Sequence, residues 1–213
     1  AIAAVALLPF AWRQAWPRDR ATWLWLAAAG LLDAVGYALV YLGEERISGG
    51  LAAVIYGCQP MVLALLTGVL RLGAPTRPQL IGALISLAGV VVLFADRIDV
   101  SSGQAVGIAL VFGSVLVASA YSLIVKQKAA GVSALVVTAI FLTVTALALA
   151  AVVLVRGPAP VAVPSLVPTL ALLYLALVGT VVAFVAFFWL LDRVSLMVSS
   201  TLVFVYPLIA LVV

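Results

Sequence analysis

An acidic side chain inside a long apolar run is the residue of this sequence most able to do chemistry. Asp33 lies eleven residues into the apolar run 22–43, which is about 16 Å along a helix. A carboxylate near the middle of a hydrocarbon layer about 30 Å thick costs several kcal/mol unless it faces a cavity or a partner, or is protonated. We therefore expect Asp33 to couple to protons or to bind a substrate amine. The alternative is a protonated carboxyl group that is hydrogen-bonded between packed helices.

Aromatic and small polar residues at helical spacing predict the wall of a substrate cavity. Asp33, Tyr37 and Tyr41 are spaced i, i+4 and i+8 and so share one face of a helix. Aromatic walls with a few polar groups suit small amphipathic solutes, although such stripes also occur in ordinary helix packing. The predicted cavity comprises these three residues together with Tyr56, Gln59, Ser114, Tyr121, Thr180, Phe184, Phe188, Ser199 and Tyr206.

Two prolines, Pro60 and Pro207, lie inside apolar runs. Proline removes a backbone hydrogen bond and kinks or breaks a helix, and the freed carbonyl groups can line a cavity. We expect both prolines to act as hinges. A static bend is the alternative, since proline is well tolerated in membrane helices.

The composition predicts that membrane-spanning helices position these residues. Hydrophobic residues make up 67% of the chain and charged residues 8%, whereas a soluble domain carries about 25% charged residues. The predicted fold class is therefore an all-α, polytopic membrane bundle. Seven runs are long enough to cross a bilayer: 22–43, 47–70, 78–95, 104–125, 132–155, 165–191 and 194–213. The run 1–11 is interpreted as the end of a further span that begins upstream, which gives eight visible spans.

Part of the sequence occurs twice, 147 positions apart. The segment 45–48 (Glu-Arg-Ile-Ser) reappears as 192–195 (Asp-Arg-Val-Ser), and Pro60 has its counterpart in Pro207, since 207 − 60 = 147. Five crossings separate the two copies, an odd number, which predicts inverted repeats in one membrane domain. Substrate sites in such folds lie near the midplane, between the repeats.

Lysine and arginine are concentrated in alternate loops, which predicts the orientation in the membrane. The richer set consists of Arg13, Arg18, Arg20, Arg71, Arg77, Lys126, Lys128 and Arg193. The poorer set consists of Arg46, Arg97 and Arg156. The loops near 12–21, 71–78 and 126–131 are therefore predicted to be cytoplasmic.

Several segments, taken in order, are similar to those of a known transporter family. They are Gly36-Tyr37 through Tyr41, the segment 45–48, Gln59-Pro60, and the segments 82–90, 120–126, 179–189 and 199–207. In this order the chain resembles the drug/metabolite transporter superfamily, in particular its EamA-type exporters. The resemblance covers nearly the whole chain. One departure is Gly73-Ala74, where the family often has Gly-Glu before the helix that closes the repeat.

The resemblance implies ten helices in two inverted five-helix repeats, with both termini cytoplasmic. Residues 1–95 would form the first repeat, 96–103 the loop between repeats, and 104–213 the second repeat. The first repeat would then lack its first helix here and have a truncated second helix. The second repeat would lack its last helix.

These patterns together predict a secondary transporter in the cytoplasmic, or inner, membrane. It is expected to export a small metabolite, an amino acid or a drug-like solute by proton antiport with alternating access. Its expected partners are that solute, protons and the lipid bilayer, with no nucleic acid, no cofactor and no metal. The alternatives are an intramembrane enzyme and an uncoupled channel or uniporter. An enzyme would need paired carboxylates, histidine or a nucleophile–base pair at membrane depth, and the sequence has no histidine.

Overall fold

The described part of the chain is helical throughout its regular elements. A computed structural model describes residues 2–72, 76–93, 102–157 and 165–204, and no strand occurs among them. In chain order the elements are α1 (Ile2–Ala11), α2 (Arg20–Glu44), α3 (Gly49–Tyr56), α4 (Gln59–Val69), α5 (Arg77–Leu93), α6 (Ser102–Lys128), α7 (Ala134–Arg156), α8 (Leu166–Ala176), a π-helical segment (Leu177–Val182), α9 (Ala183–Arg193), α10 (Leu196–Ser200) and a 3₁₀ turn (Thr201–Phe204). This confirms the predicted all-α class.

Within the described ranges, five stretches are long and apolar enough to cross a membrane. They are Arg20–Glu44, Gly49–Val69, Gln104–Lys128, Ala134–Val155 and Leu166–Arg193. Each overlaps one of the predicted spans, so the polytopic class is confirmed. The apolar helices Ile2–Ala11 and Leu80–Gly89 are shorter. The count of eight spans and the inverted orientation of the repeats stay predictions.

The chain divides into two compact units. Unit 1 consists of the described residues of 1–34 and 124–193, and unit 2 of those of 35–123 and 194–213. One apolar core cluster of unit 1 contains Leu7, Ala11 and Ala139. One cluster of unit 2 consists of Ile47, Leu51, Ala52, Ile55, Val62, Val111 and Val115. The division of the sequence into repeats at 96–103 is a different division, and it stays a prediction.

The two copies of the repeated segment begin a helix in the same way. The side chain of Ser48 accepts a hydrogen bond from the N–H of Leu51 at 3.3 Å. Ser195 accepts one from the N–H of Val198, also at 3.3 Å. Both serines are N-caps with extended backbone, immediately before α3 and α10. The sequence repeat therefore includes a repeated helix start.

The arginines of the two copies also make matching contacts. Arg46 donates to the carbonyl group of Leu42 at 2.7 Å, and Arg193 donates to that of Trp189 at 3.1 Å. Each contact spans four residues, so each arginine binds a carbonyl group in the last turn of the helix before the loop. A cation there interacts favourably with the helix dipole.

Charged side chains stabilise two helix ends of unit 1. Asp19 accepts a hydrogen bond from the N–H of Thr22 at 2.7 Å and caps the start of α2. Hydrogen bonds from the side chain and the backbone of Thr22 hold the pKa of Asp19 below its ordinary value. At the end of α9, the ammonium group of Lys126 donates to the carbonyl groups of Leu191 at 2.6 Å and Asp192 at 3.1 Å.

The helix is interrupted where the sequence predicts it next to Pro60. α3 ends at Tyr56, α4 begins at Gln59, and Pro60 lies in the first turn of α4. At that position the missing N–H of proline has no intrahelical partner to lose. The role of Pro60 as a hinge stays a prediction, and Pro207 lies outside the described residues.

Candidate functional site

Asp33 is buried in unit 1 and is held by a hydroxyl group. It is 5% exposed, and its Oδ2 lies 3.0 Å from the Oγ1 atom of Thr145 on α7. In the described part of the chain an ion pair occurs between Arg46 and Glu45 at 4.0 Å, and it does not involve Asp33. Asp33 therefore has a hydrogen-bonding partner but no cationic one among the described residues. This arrangement allows the carboxyl group to gain and lose a proton without disrupting an ion pair.

Thr145 links Asp33 to the backbones of two helices. Its Oγ1 lies 3.0 Å from the carbonyl oxygen of Gly30 on α2 and 2.9 Å from that of Phe141 on α7. Thr145 is 4% exposed. α2 and α7 can come close at this point because Gly30 has no side chain. A Cβ atom at Gly30 would lie 2.7 Å from the carbonyl oxygen of Phe141 and 2.9 Å from Cβ of Val144. Sequence reasoning did not identify Thr145.

Three phenylalanines form an aromatic cluster in unit 1. The ring centroid of Phe141 lies 5.3 Å from that of Phe184 and 5.0 Å from that of Phe188, and the centroids of Phe184 and Phe188 are 5.8 Å apart. The structure thus brings together Phe184 and Phe188, which were predicted to line the cavity, and both contact Phe141, which was not predicted. Phe141 and Phe188 are buried. Because the carbonyl group of Phe141 also contacts Thr145, the cluster is continuous with the surroundings of Asp33.

Thr180 lies in a widened turn of the helix that precedes the aromatic cluster. The π-helical segment Leu177–Val182 separates α8 from α9. The Thr180 hydroxyl donates to the carbonyl group of Leu175 at 2.9 Å, five residues earlier. π-Helical turns are frequent at functional sites. By the sequence repeat, Thr180 is the counterpart of Asp33, since 180 − 33 = 147.

In unit 2 the structure joins two predicted cavity residues by a hydrogen bond. The hydroxyl groups of Tyr56 and Ser114 are 2.9 Å apart. Ser114 also donates to the carbonyl group of Val111 in its own helix at 2.6 Å. The pair therefore connects α3 to α6.

We expect the Tyr56–Ser114 hydrogen bond to contribute about 0.6 kcal/mol of coupling energy, and at most about 1.7 kcal/mol, as double-mutant cycles find for such bonds between membrane helices. Tyr56→Phe, Ser114→Ala and the double variant form a thermodynamic cycle, to be measured by unfolding in detergent. Ser119→Ala is the matched control, because Ser119 is buried on the same helix and donates within it to Val115 at 2.8 Å. Strictly additive losses for Tyr56→Phe and Ser114→Ala would contradict the pairing.

The other predicted cavity residues of unit 2 are more dispersed. The rings of Tyr37 and Tyr41 stack with their centroids 5.9 Å apart, and Tyr41 is 61% exposed. The remaining positions do not form one described cluster. Gln59 and Tyr121 are half-buried, Ser199 is buried and donates to the carbonyl group of Leu196 at 2.9 Å, and Tyr206 lies outside the described residues.

A cleft of about 550 Å³ opens in unit 1, away from Asp33. Its walls include Gln14, Leu135, Val185, Trp189 and Arg193. Arg193 stacks over the ring of Trp189 at 4.1 Å. None of the residues that line this cleft is in the predicted cavity set, so the cleft and the predicted site are different places.

Comparisons with known proteins place the chain by its sequence and fold. A sequence model of the EamA-like transporter family matches residues 1–95 and 105–213. Protein PecM of Dickeya dadantii is 28% identical over 195 residues, which are 89% of this chain and 64% of that protein. The uncharacterized inner membrane transporter YedA of Escherichia coli K12 is 27% identical over 182 residues, which are 84% of this chain and 58% of YedA. This chain thus matches less than two thirds of the length of either relative.

A protein of known crystal structure has the same fold. It superposes with a TM-score of 0.65 at 18% sequence identity, over 97% of this chain and 80% of that one. At this identity the likeness shows the fold alone.

Proposed function

The chain belongs to the EamA-like transporter family, and on that premise we propose that it is a secondary transporter that exports a small solute by proton antiport. The solute class is a small metabolite, an amino acid or a drug-like molecule. The transporter lies in the cytoplasmic membrane, as the name of YedA says of that relative. The loops near 12–21, 71–78 and 126–131 face the cytoplasm.

The observation that carries the proposal is the buried carboxyl group of Asp33. It lies thirteen residues after the start of the apolar helix Arg20–Glu44, with Thr145 at 3.0 Å and no cation paired with it in the described ranges. Intramembrane carboxyl groups are costly and typically serve as proton or substrate sites. A group that binds one proton and has no competing ion pair is suited to exchanging that proton for a solute.

Aromatic residues near the π-helical segment of unit 1 and near the interruption before Pro60 in unit 2 support an amphipathic solute. In unit 1, Phe184 and Phe188 belong to the cluster next to Thr145. In unit 2, Tyr56 precedes the interruption before Pro60 and is linked to Ser114. Apolar walls with few polar groups bind such solutes by burying their apolar surface.

Alternating access is proposed from the helix interruptions and the sequence repeat. The helix is interrupted between Tyr56 and Gln59, immediately before Pro60, and a repeated helix start occurs at Ser48 and Ser195. In transporters built from inverted repeats, broken helices of this kind surround the substrate.

Solute flux in proteoliposomes tests the proposal. Vesicles with an acidic lumen, an alkaline exterior and a trapped pH-sensitive dye are supplied with radiolabelled amino acids and a quaternary ammonium compound. We expect uptake of at least one solute above that of protein-free vesicles, together with alkalinisation of the lumen. A protonophore added before the solute should dissipate the pH gradient and so abolish both the uptake and the alkalinisation that depends on the solute.

Two outcomes would contradict proton antiport. Uptake that is unchanged by the protonophore would indicate uniport. Proton release that does not depend on the presence of any solute in the panel would indicate a leak and not exchange.

A further inference from the structure

We propose that Thr145 is a positioning residue whose single hydroxyl proton changes partner when Asp33 gains or loses a proton. The inference rests on the proposed function, in which Asp33 is the proton-binding group. It concerns a residue of α7 that neither the sequence motifs nor the family match identifies. Through it, the charge of Asp33 is converted into a change in the contact between α2 and α7 within unit 1.

The number of protons and acceptors leads to this inference. A threonine hydroxyl has one proton to donate, yet three oxygens lie within 3.0 Å of Thr145 Oγ1: Oδ2 of Asp33 and the carbonyl oxygens of Gly30 and Phe141. The hydroxyl group therefore donates to one of them at a time. The oxygen of Thr145 can also accept a hydrogen bond. Of its three oxygen neighbours, only Asp33 can carry a proton and so donate one.

The protonation state of Asp33 decides which bond forms. When the carboxyl group is ionised it only accepts, so Thr145 donates to it in a charge-assisted hydrogen bond, stronger than one to a neutral carbonyl group. When Asp33 is protonated on Oδ2, its O–H donates to the oxygen of Thr145. The hydroxyl group of Thr145 then turns and donates to the carbonyl group of Gly30 or Phe141. The carboxyl group gains or loses one proton, and no covalent bond of Thr145 changes.

The close packing at Gly30 makes this exchange of partners matter for the helices. The carbonyl groups that compete with Asp33 belong to the two facing helices, Gly30 to α2 and Phe141 to α7. Since a Cβ at Gly30 would meet the oxygen of Phe141 at 2.7 Å, the two backbones lie closer here than a residue with a side chain would allow. A change of hydrogen-bond partner at this point acts directly between the helix backbones.

Other charged groups of unit 1 lie at helix ends or in the loop before α2. In the described ranges, the charged residues on the elements around the pair are Arg20 and Glu44 at the two ends of α2, Lys126 and Lys128 at the end of α6, Arg156 at the end of α7, and Asp192 and Arg193 at the end of α9; α1 has none. Asp33 is thus the ionisable group that faces Thr145.

Infrared titration of the purified, reconstituted protein tests the inference without any solute. The C=O stretching band of a protonated carboxyl group is followed against pH, and its absence in Asp33→Asn assigns the band to Asp33. In Thr145→Val the ionised carboxylate loses its donor. We expect the half-titration point of that band to move by about one pH unit toward higher pH, with the band at a higher frequency.

Two further variants separate positioning from packing. Thr145→Ser keeps the hydroxyl group and should restore both the half-titration point and the frequency. Thr138→Val removes a buried hydroxyl group from the same helix, where Thr138 donates to Ala134 of α7 at 2.7 Å, and should titrate as the wild type does. A Thr145→Val protein with the wild-type titration, or a Thr145→Ser protein that behaves as Thr145→Val, would overturn the inference.

Its failure and that of proton antiport give different results. If Asp33→Asn loses gradient-driven flux while Thr145→Val leaves the band unchanged, the role of Thr145 is wrong and antiport stands. If Asp33→Asn retains gradient-driven flux, antiport through Asp33 is wrong, whatever the band does.

Discussion

Replacing Asp33 by asparagine is expected to lower solute uptake driven by a pH gradient at least about tenfold, because the variant has no proton to exchange at membrane depth. Asparagine has nearly the same shape as aspartate, and its side-chain oxygen can still accept a hydrogen bond from Thr145. The helices should therefore keep their packing, so that exchange of labelled for unlabelled solute at equal pH persists. Flux is measured in proteoliposomes with an acidic lumen, and exchange in vesicles at one pH.

A second aspartate provides the matched control. Asp19 lies just before α2, where it accepts a hydrogen bond from the N–H of Thr22. Asn caps a helix about as well as Asp, so Asp19→Asn removes one carboxylate at little structural cost and should leave gradient-driven uptake unchanged. If uptake driven by the pH gradient were as fast in Asp33→Asn as in Asp19→Asn, Asp33 would be a packing residue and the coupling group would lie elsewhere.

The features that could be predicted from the sequence are those that depend on residues close together along the chain. An apolar run of about 20 residues is long enough to span a bilayer, and each of the five long apolar stretches in the described ranges overlaps a predicted span. The depth of Asp33 in the membrane stays a prediction. A serine before a helix can cap it through an N–H three residues on. The repeat of Ser48 at Ser195 was identified in the sequence, whereas the two matching caps are a finding of the structure. The interruption before Pro60 has an equally local cause.

The partner of Asp33 could not be predicted in the same way. Thr145 is 112 positions from Asp33 in the chain, and α7 carries three threonines, Thr138, Thr143 and Thr145. A helix that is apolar on all sides has no polar face to indicate which side turns inward. The contact is therefore decided by the packing of α2 on α7. The same holds for Phe141, which the structure places between Phe184 and Phe188.

The π-helical segment was also missed, for a different reason. Leu177–Val182 has the composition of an ordinary apolar helix, and one extra residue in a turn leaves no mark on hydropathy. Thr180 was predicted as a cavity residue, but the widened turn in which it lies was not. Its structural effect is visible in the bond from Thr180 to Leu175, which skips the usual four-residue spacing.

We expect Gly30→Ala to destabilise the protein by about 1–3 kcal/mol, the usual cost of forcing an extra methyl group into a close-packed contact. The new Cβ would lie 2.7 Å from the carbonyl oxygen of Phe141 and 2.9 Å from Cβ of Val144. A backbone oxygen and a Cβ atom cannot rotate away, so α2 and α7 must separate. The change is measured as the free energy of unfolding in detergent.

A glycine six residues further along α2 makes the comparison sharp. At Gly36 the nearest atom to a new Cβ would be Cγ1 of Val117 at 3.7 Å, an ordinary contact. Alanine is a better helix former than glycine by about 1 kcal/mol, so Gly36→Ala should be neutral or stabilising. Opposite signs for the same substitution would show that contact and not helix propensity decides. Equal losses would contradict the close approach at Gly30. Because Gly30 also offers its carbonyl oxygen to Thr145, the separation of α2 from α7 should slow gradient-driven flux as well, with Asp33 itself unchanged.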